Sequence, residues 1–169
     1  SWPEAIARAA AGLAGKRAGV LVGGRATVED AYGYAKFARV ALGTNGIDFR
    51  SRPHSDEEAA FLASTVVDLK TTYADIDKAD HVVLVNFEPE DESPIVFLRI
   101  YKQVRKRSLQ VTTVAPFASR GSEKLQASVV PNFDHVHNLT EKSVVLVGER
   151  AAETPGLLSM IASHSPAKI

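Results

Sequence analysis

Residues 81–114 read HVVLVNFEPEDESPIVFLRIYKQVRKRSLQVTTV. After His81, Val82 to Val85 is an apolar run without polar alternation, the pattern of a strand buried on both faces of a parallel sheet. Asn86 to Glu92 predicts a loop. Ser93-Pro94 supplies an N-cap and a first helical residue. Ile95, Phe97, Leu98, Tyr101 and Val104 then recur at helical spacing as far as Arg107. Arg105-Lys106-Arg107 complements the negative end of that helix. Leu109 to Val114 is a further strand. Strand, helix and strand in this order form a crossover unit of a parallel sheet.

The same alternation extends in both directions. Upstream, residues 3–15 predict a helix. Ala18 to Val22 predicts a strand buried on both faces, ending in Gly23-Gly24. Thr27 to Asp30 resembles a capping box and opens a helix to about Leu42, with Gly43 as its stop. Ile47-Asp48-Phe49 is extended, Ser55 precedes the acidic start of a helix, and Asp75 to Ala79 is a helical turn. Downstream, residues 115–131 are irregular apart from a short helix near Glu123–Ala127. Phe133 to Leu139 alternates like a strand, Ser143 to Val147 is a buried strand ended by Gly148, and a helix spans about Thr154–Ser163. The expectation is one doubly wound α/β domain over 1–169, a mostly parallel sheet with helices on both faces.

Composition narrows the function. The 169 residues carry 20 Lys+Arg and 20 Asp+Glu, a formal charge of zero, which argues against a dedicated nucleic-acid binder. With no cysteine, there is no disulfide, thiolate zinc site, Fe–S ligation or cysteine nucleophile in this segment. No apolar run approaches the ~20 residues of a membrane span, and Ser1-Trp2-Pro3-Glu4 does not read as a signal peptide. Ser1 is not a natural initiator, so the sequence reads as a piece of a longer chain.

Four constellations are candidates for chemistry. Gly23-Gly24-Arg25 follows a strand and precedes a helix, where backbone amides can meet a phosphate, but it lacks the dinucleotide spacing and the P-loop lysine. The simpler reading is a tight turn. Glu88, Glu90, Asp91 and Glu92 could hold a divalent cation, yet acids before a helix are favourable in themselves. Asp134-His135-Val136-His137 would put both imidazoles on one face of a strand, without an obvious third ligand. Lys102, Arg105, Lys106 and Arg107 read as a solvated helix end rather than a binding patch. His54 and His164 receive no role, and neither a Ser–His–Asp pattern nor a nucleophile elbow is present.

Three stretches carry a family resemblance. The first runs from Gly19 through Gly23-Gly24-Arg25-Ala26-Thr27-Val28-Glu29-Asp30-Ala31-Tyr32, with Ala38-Arg39, to Leu42-Gly43-Thr44-Asn45-Gly46-Ile47-Asp48. The second comprises Val83 to Val85, Pro89, Ser93-Pro94-Ile95 and Leu98-Arg99-Ile100. The third is Val114-Ala115-Pro116. Together with Trp2-Pro3-Glu4-Ala5, they resemble the molybdopterin oxidoreductase family over about residues 2–118, most specifically in L-G-T-N-x-I-D. Within it the wording is similar to the branch found in bacterial respiratory NADH–quinone oxidoreductases.

The resemblance implies the Rossmann-like fold of that family and a guanine dinucleotide pocket at Gly23, Gly24, Arg25 and Glu88. The sequence departs from the family at that pocket. Asn86 and Glu88 stand where cofactor-binding members have Gly and Asn, and Ala115 and Phe117 stand where they have Asp and Arg. Carboxylates in place of phosphate ligands oppose a polyanionic cofactor. The expectation is therefore a vestigial pocket, no catalytic or metal-binding residue, and a scaffold role. The resemblance further implies a parent chain with Fe–S clusters, other oxidoreductase subunits as partners, and a place at the inner face of the plasma membrane without insertion into it. Exposed edges would favour pairing between copies. Two rivals remain open at this point: a true molybdopterin guanine dinucleotide protein, and an unrelated nucleotide-binding domain.

Overall fold

The computed structural model describes residues 1–24, 26–49, 52–66, 71–163 and 167–169. They form two compact units, Ser1–Pro53 and His54–Ile169.

The first unit contains α1 (Trp2–Leu13), β1 (Val20–Leu21), α2 (Val28–Val40) and β2 (Ile47–Asp48). The Thr27 hydroxyl caps α2 by accepting from the Asp30 amide at 3.1 Å. The helix stops at Gly43, whose φ of 64° suits glycine, and the Thr44 amide donates back to the Ala38 carbonyl. β1 and β2 pair in parallel, Val20 opposite Ile47. The 18–22 run differs from expectation. Its strand is two residues long, and Leu21 is 66% exposed while Val22 is buried. No third strand joins this pair among the described residues, and the face to which Leu21 points is left open.

The second unit opens with α3 (Asp56–Phe61), which continues into a π-helical turn, and α4 (Tyr73–Lys78). Then come β3 (His81–Val85), α5 (Pro89–Glu92), α6 (Pro94–Arg107), β4 (Gln110–Val114), α7 (Arg120–Lys124), β5 (Ser128–Val130), β6 (Ser143–Val147) and α8 (Leu157–Ser163). The strand order is β5-β4-β3-β6 and every pairing is parallel. His81 sits opposite both Gln110 and Ser143. Val82 and Leu84 join Ile76, Phe97, Ile100 and Leu125 on one face. Val83 and Val85 join Phe61, Phe133, Leu158 and Ile161 on the other. Two covered faces explain why β3 reads as uninterrupted apolar sequence.

Three local expectations change. The 86–92 loop contains α5, started by Pro89 in a position where its missing N–H costs nothing. The short helix in 115–131 lies at Arg120–Lys124, and β5 follows it. Phe133 to Leu139 is not a strand. A 3-10 turn covers Phe133–His135, and Phe133, Val136 and Leu139 all pack on the second core cluster. Their spacing is three, the period of a 3-10 turn rather than of a strand.

Candidate functional site

In a doubly wound sheet, ligands lie beyond the carboxyl ends of the strands where the strand order reverses. Here that point falls between β3, the first strand of the unit, and β6, the fourth. The residues that leave these two strands close it. The Gly148 amide donates to the Val85 carbonyl at 2.9 Å. Asn86 turns the chain with a φ of 46°, a region that asparagine tolerates better than most residues. A Cβ added at Gly148 would run into the Asn86 carbonyl oxygen and sit 2.9 Å from both Asn86 C and Phe87 Cα. The two connections thus meet backbone to backbone, where a dinucleotide would need space. Only the absence of a side chain at Gly148 permits this approach.

Carboxylates surround the closed point. Glu88 lies against Gly121 in the first turn of α7, so close that a Cβ there would strike its carboxylate. Glu88 Oε1 is buried and has no hydrogen-bond partner. Glu92 accepts from the Glu88 amide at 2.7 Å and from Arg150 at 3.1 Å, and Glu90 pairs with Lys124. Of the acidic run, Glu90 and Glu92 therefore spend their charge on protein cations, and the described residues contain no group of three or more metal-ligating side chains. Beyond β4, Ala115 is fixed by its amide to the Val130 carbonyl at 3.0 Å, and Phe117 is 71% exposed. Neither can replace an acid or a guanidinium.

A concavity of about 270 Å³ lies nearby, lined by Asn86, Val114, Pro131 to Asp134, Thr154 to Leu157 and Met160. Its one charged lining residue is Asp134. The amides of Gly156 and Ser159, at the start of α8, are both taken by the Glu57 carboxylate at 2.8 Å. These contacts hold the Glu57 carboxyl below its usual pKa. The concavity thus offers neither a cation nor free helix amides to a phosphate.

The other candidates resolve individually. Gly23 and Gly24 belong to the first unit and Glu88 to the second; Arg25 lies outside the described residues. At either glycine an added Cβ meets nothing within 4 Å and φ is not positive. The turn is closed by the Ala26 amide on the Gly23 carbonyl at 3.0 Å. His135 and His137 are exposed outside any strand, so the same-face argument for them fails. His135 Nδ1 lies 3.2 Å from its neighbour Asp134. In the basic cluster, Arg107 caps α4 by donating to the carbonyls of Asp77 and Ala79 at 2.8 and 2.6 Å. His164 lies outside the described residues.

The most specific motif, L-G-T-N, shapes the return to β2. Arg39 Nε donates to Asn45 Oδ1 at 3.0 Å, and Thr44 Oγ1 accepts from the Gly46 amide at 3.0 Å. The Gly46 carbonyl then accepts from Val20 and opens the strand pairing. The molybdopterin oxidoreductase family profile matches residues 1–144. The chain belongs to the molybdopterin oxidoreductase family. It is 50% identical over 181 aligned positions to the G subunit of NADH-quinone oxidoreductase from Mycobacterium bovis and from Mycobacterium tuberculosis, covering 96% of this chain and 22% of each relative. The corresponding subunit of Streptomyces coelicolor is 50% identical over 149 positions, 78% of this chain and 18% of that relative. The chain therefore spans about a fifth of the length of these curated relatives.

A family member of this kind implies a molybdopterin guanine dinucleotide, and the second unit does not fit one. Phosphates at the β3–β6 end would meet the close backbone contact of Gly148 with Asn86, while beyond β4 the Glu88 carboxylate lies against Gly121. Sequence reasoning found Asn86, Glu88, Ala115 and Phe117 as departures but took Gly148 only as the end of a strand. The signal for its role is a glycine immediately after the strand at which the order reverses, paired with an Asn after the first.

Proposed function

We propose that this chain is part of the molybdopterin-oxidoreductase-like body of a G subunit of NADH-quinone oxidoreductase. There it acts as a scaffold without catalytic residues or a bound cofactor of its own. What supports this reading is the close backbone approach of Gly148 to Asn86 and Phe87 at the β3–β6 end, beside a concavity whose lining carries no cation for a phosphate. Half-identity to the three curated relatives supports the choice of parent.

In this reading, Gly23, Gly24 and Arg25 of the first unit and Glu88 of the second are each remnants of family sequence without a working ligand role. The parent chain carries its Fe–S clusters elsewhere, its partners are the other subunits, and electrons pass from NADH to quinone outside this segment. Its place is the inner face of the plasma membrane, held through the complex. No helix among the described residues is long and apolar enough to cross a membrane.

The test is calorimetric titration of the full-length parent chain with GDP and GTP at about 0.1 M salt, where surface charge is screened over about 10 Å. The expected result is no heat up to millimolar nucleotide. A guanine-specific heat abolished by Arg25→Ala would overturn the scaffold reading in favour of a working guanine dinucleotide site.

A further inference from the structure

The concavity described above holds polar groups that the fold leaves unused. Asp134 lines it with a side chain that is 63% exposed. Its Oδ1 lies 3.2 Å from His135 Nδ1, and its Oδ2 has no partner among the described residues. Asn86 and Asn132 line it too, and their side-chain amides make no hydrogen bond among the described residues. Phe133, Leu157 and Met160 add an apolar wall. Phe133 and Leu157 are buried, whereas Met160 is 36% exposed.

The charge of this concavity has one sign. No Lys or Arg lines it among the described residues, and the Gly156 and Ser159 amides at the start of α8 are already taken by Glu57. A carboxylate with an open oxygen, beside two amide oxygens, accepts hydrogen bonds and favours a cation. Arginine matches this set better than lysine. Its planar guanidinium has donors enough for the carboxylate and the amides together, and its weaker hydration suits contact with an apolar wall. The lining also bears on the source of the arginine. Most of its residues are exposed, so the concavity is open to water. A free small cation would stay largely solvated there, whereas a ligand pocket buries roughly 70–90% of its occupant. A side chain carried on a docked polypeptide is covered by the surrounding contact instead.

We propose that this concavity receives an arginine side chain from another subunit, with the guanidinium on Asp134 and the stem along Phe133, Leu157 and Met160. The proposal rests on the scaffold reading, which makes the other subunits the partners of this chain. It gives Asp134 a role as an interface anchor, apart from any nucleotide.

Met160 reports on the occupant, because peroxide oxidises an open thioether and spares a covered one. Peptide mapping of the full-length parent chain, alone and in the assembled complex, measures that oxidation. The expected result is a Met160 that oxidises about tenfold more slowly in the complex, with the protection reduced by Asp134→Asn and abolished by Asp134→Arg. The Asp134 side chain is exposed, so neither substitution disturbs the core. One arginine of another subunit should resist phenylglyoxal in the native complex and react in the Asp134→Arg complex. Equal Met160 oxidation in both samples overturns the proposal. Protection already complete in the isolated chain also overturns it and assigns the concavity to another segment of that chain. Protection that ignores both substitutions, or that no arginine follows, removes the cation and overturns it as well. A parent chain that does not join the complex at all overturns the scaffold reading together with this proposal; a complex that forms with Met160 still reactive overturns this proposal alone.

Discussion

His81 shows what a single residue contributes to this sheet. It starts β3, is 5% exposed, and its Nε2 lies 2.9 Å from Thr112 Oγ1. Nδ1 is buried without a partner. A bare lone pair is less costly than a bare N–H, so the proton belongs on Nε2, donating to Thr112. Burial holds the imidazole pKa below its ordinary 6.5. The unfolded chain then binds the proton more readily, so the stabilisation is complete above the ordinary value and is lost as pH falls through and below it. Denaturation midpoints measured between about pH 8 and about pH 5 should fall for the native chain and fall less for His81→Asn. The glycines supply a second contrast. Gly148→Ala forces apart two backbone segments and should destabilise by about 1–3 kcal/mol. Gly23→Ala and Gly24→Ala enter open space and should stay within about 0.5 kcal/mol. Melting temperatures of the three variants would separate the closed strand ends from the open turn.

At the scale of elements, legibility followed burial and chain-local chemistry. β3, β6 and α6 were readable to the residue because an apolar run between two covered faces, or a Ser-Pro start with a basic end, is written locally. The 133–139 segment was misread because alternation and a three-residue period share Phe133 and Leu139, and only the packed core decides between them. The site was legible in part: Glu88, Ala115 and Phe117 signal lost phosphate ligands, but the closure by Gly148 depends on two strands 62 positions apart in register, Val85 with Val147. The grip of α3 on α8 is equally non-local. Glu57 accepts the Gly156 and Ser159 amides, and its pKa is lowered mainly by those backbone bonds. A depressed carboxylate pKa stabilises above the unfolded value and ceases to do so as pH falls through the folded one. Acidification below about pH 4 should lower the protection of the Gly156 and Ser159 amides, measured relative to their intrinsic exchange rates at the same pH. Glu57→Gln should show the lower protection already at neutral pH. Unchanged exchange in that variant would mean that α8 is held by Leu157, Leu158 and Ile161 alone.

Across the whole molecule, the two units differ in how much each can bury by itself. The second has a four-stranded parallel sheet with an apolar cluster on each face. The first has two strands of two residues each, and its described buried apolar residues are Val22 and Ala38. Trp2, Val28 and Val40 are each more than three-quarters exposed, at 83%, 84% and 78%. A two-stranded pair is marginal in water, and parallel strands occur almost only where both faces are covered. The capped α2 and the Arg39–Asn45 contact fix local geometry in the first unit, but local bonds of this kind contribute about 1 kcal/mol each against an ordering cost of about 1–2 kcal/mol per residue. Residues 54–169 produced alone should therefore unfold in one cooperative transition, whereas residues 1–53 alone should show no cooperative melting by circular dichroism. Cooperative melting of 1–53 would mean that this unit completes its own core, and the scaffold would then consist of two independently folding pieces.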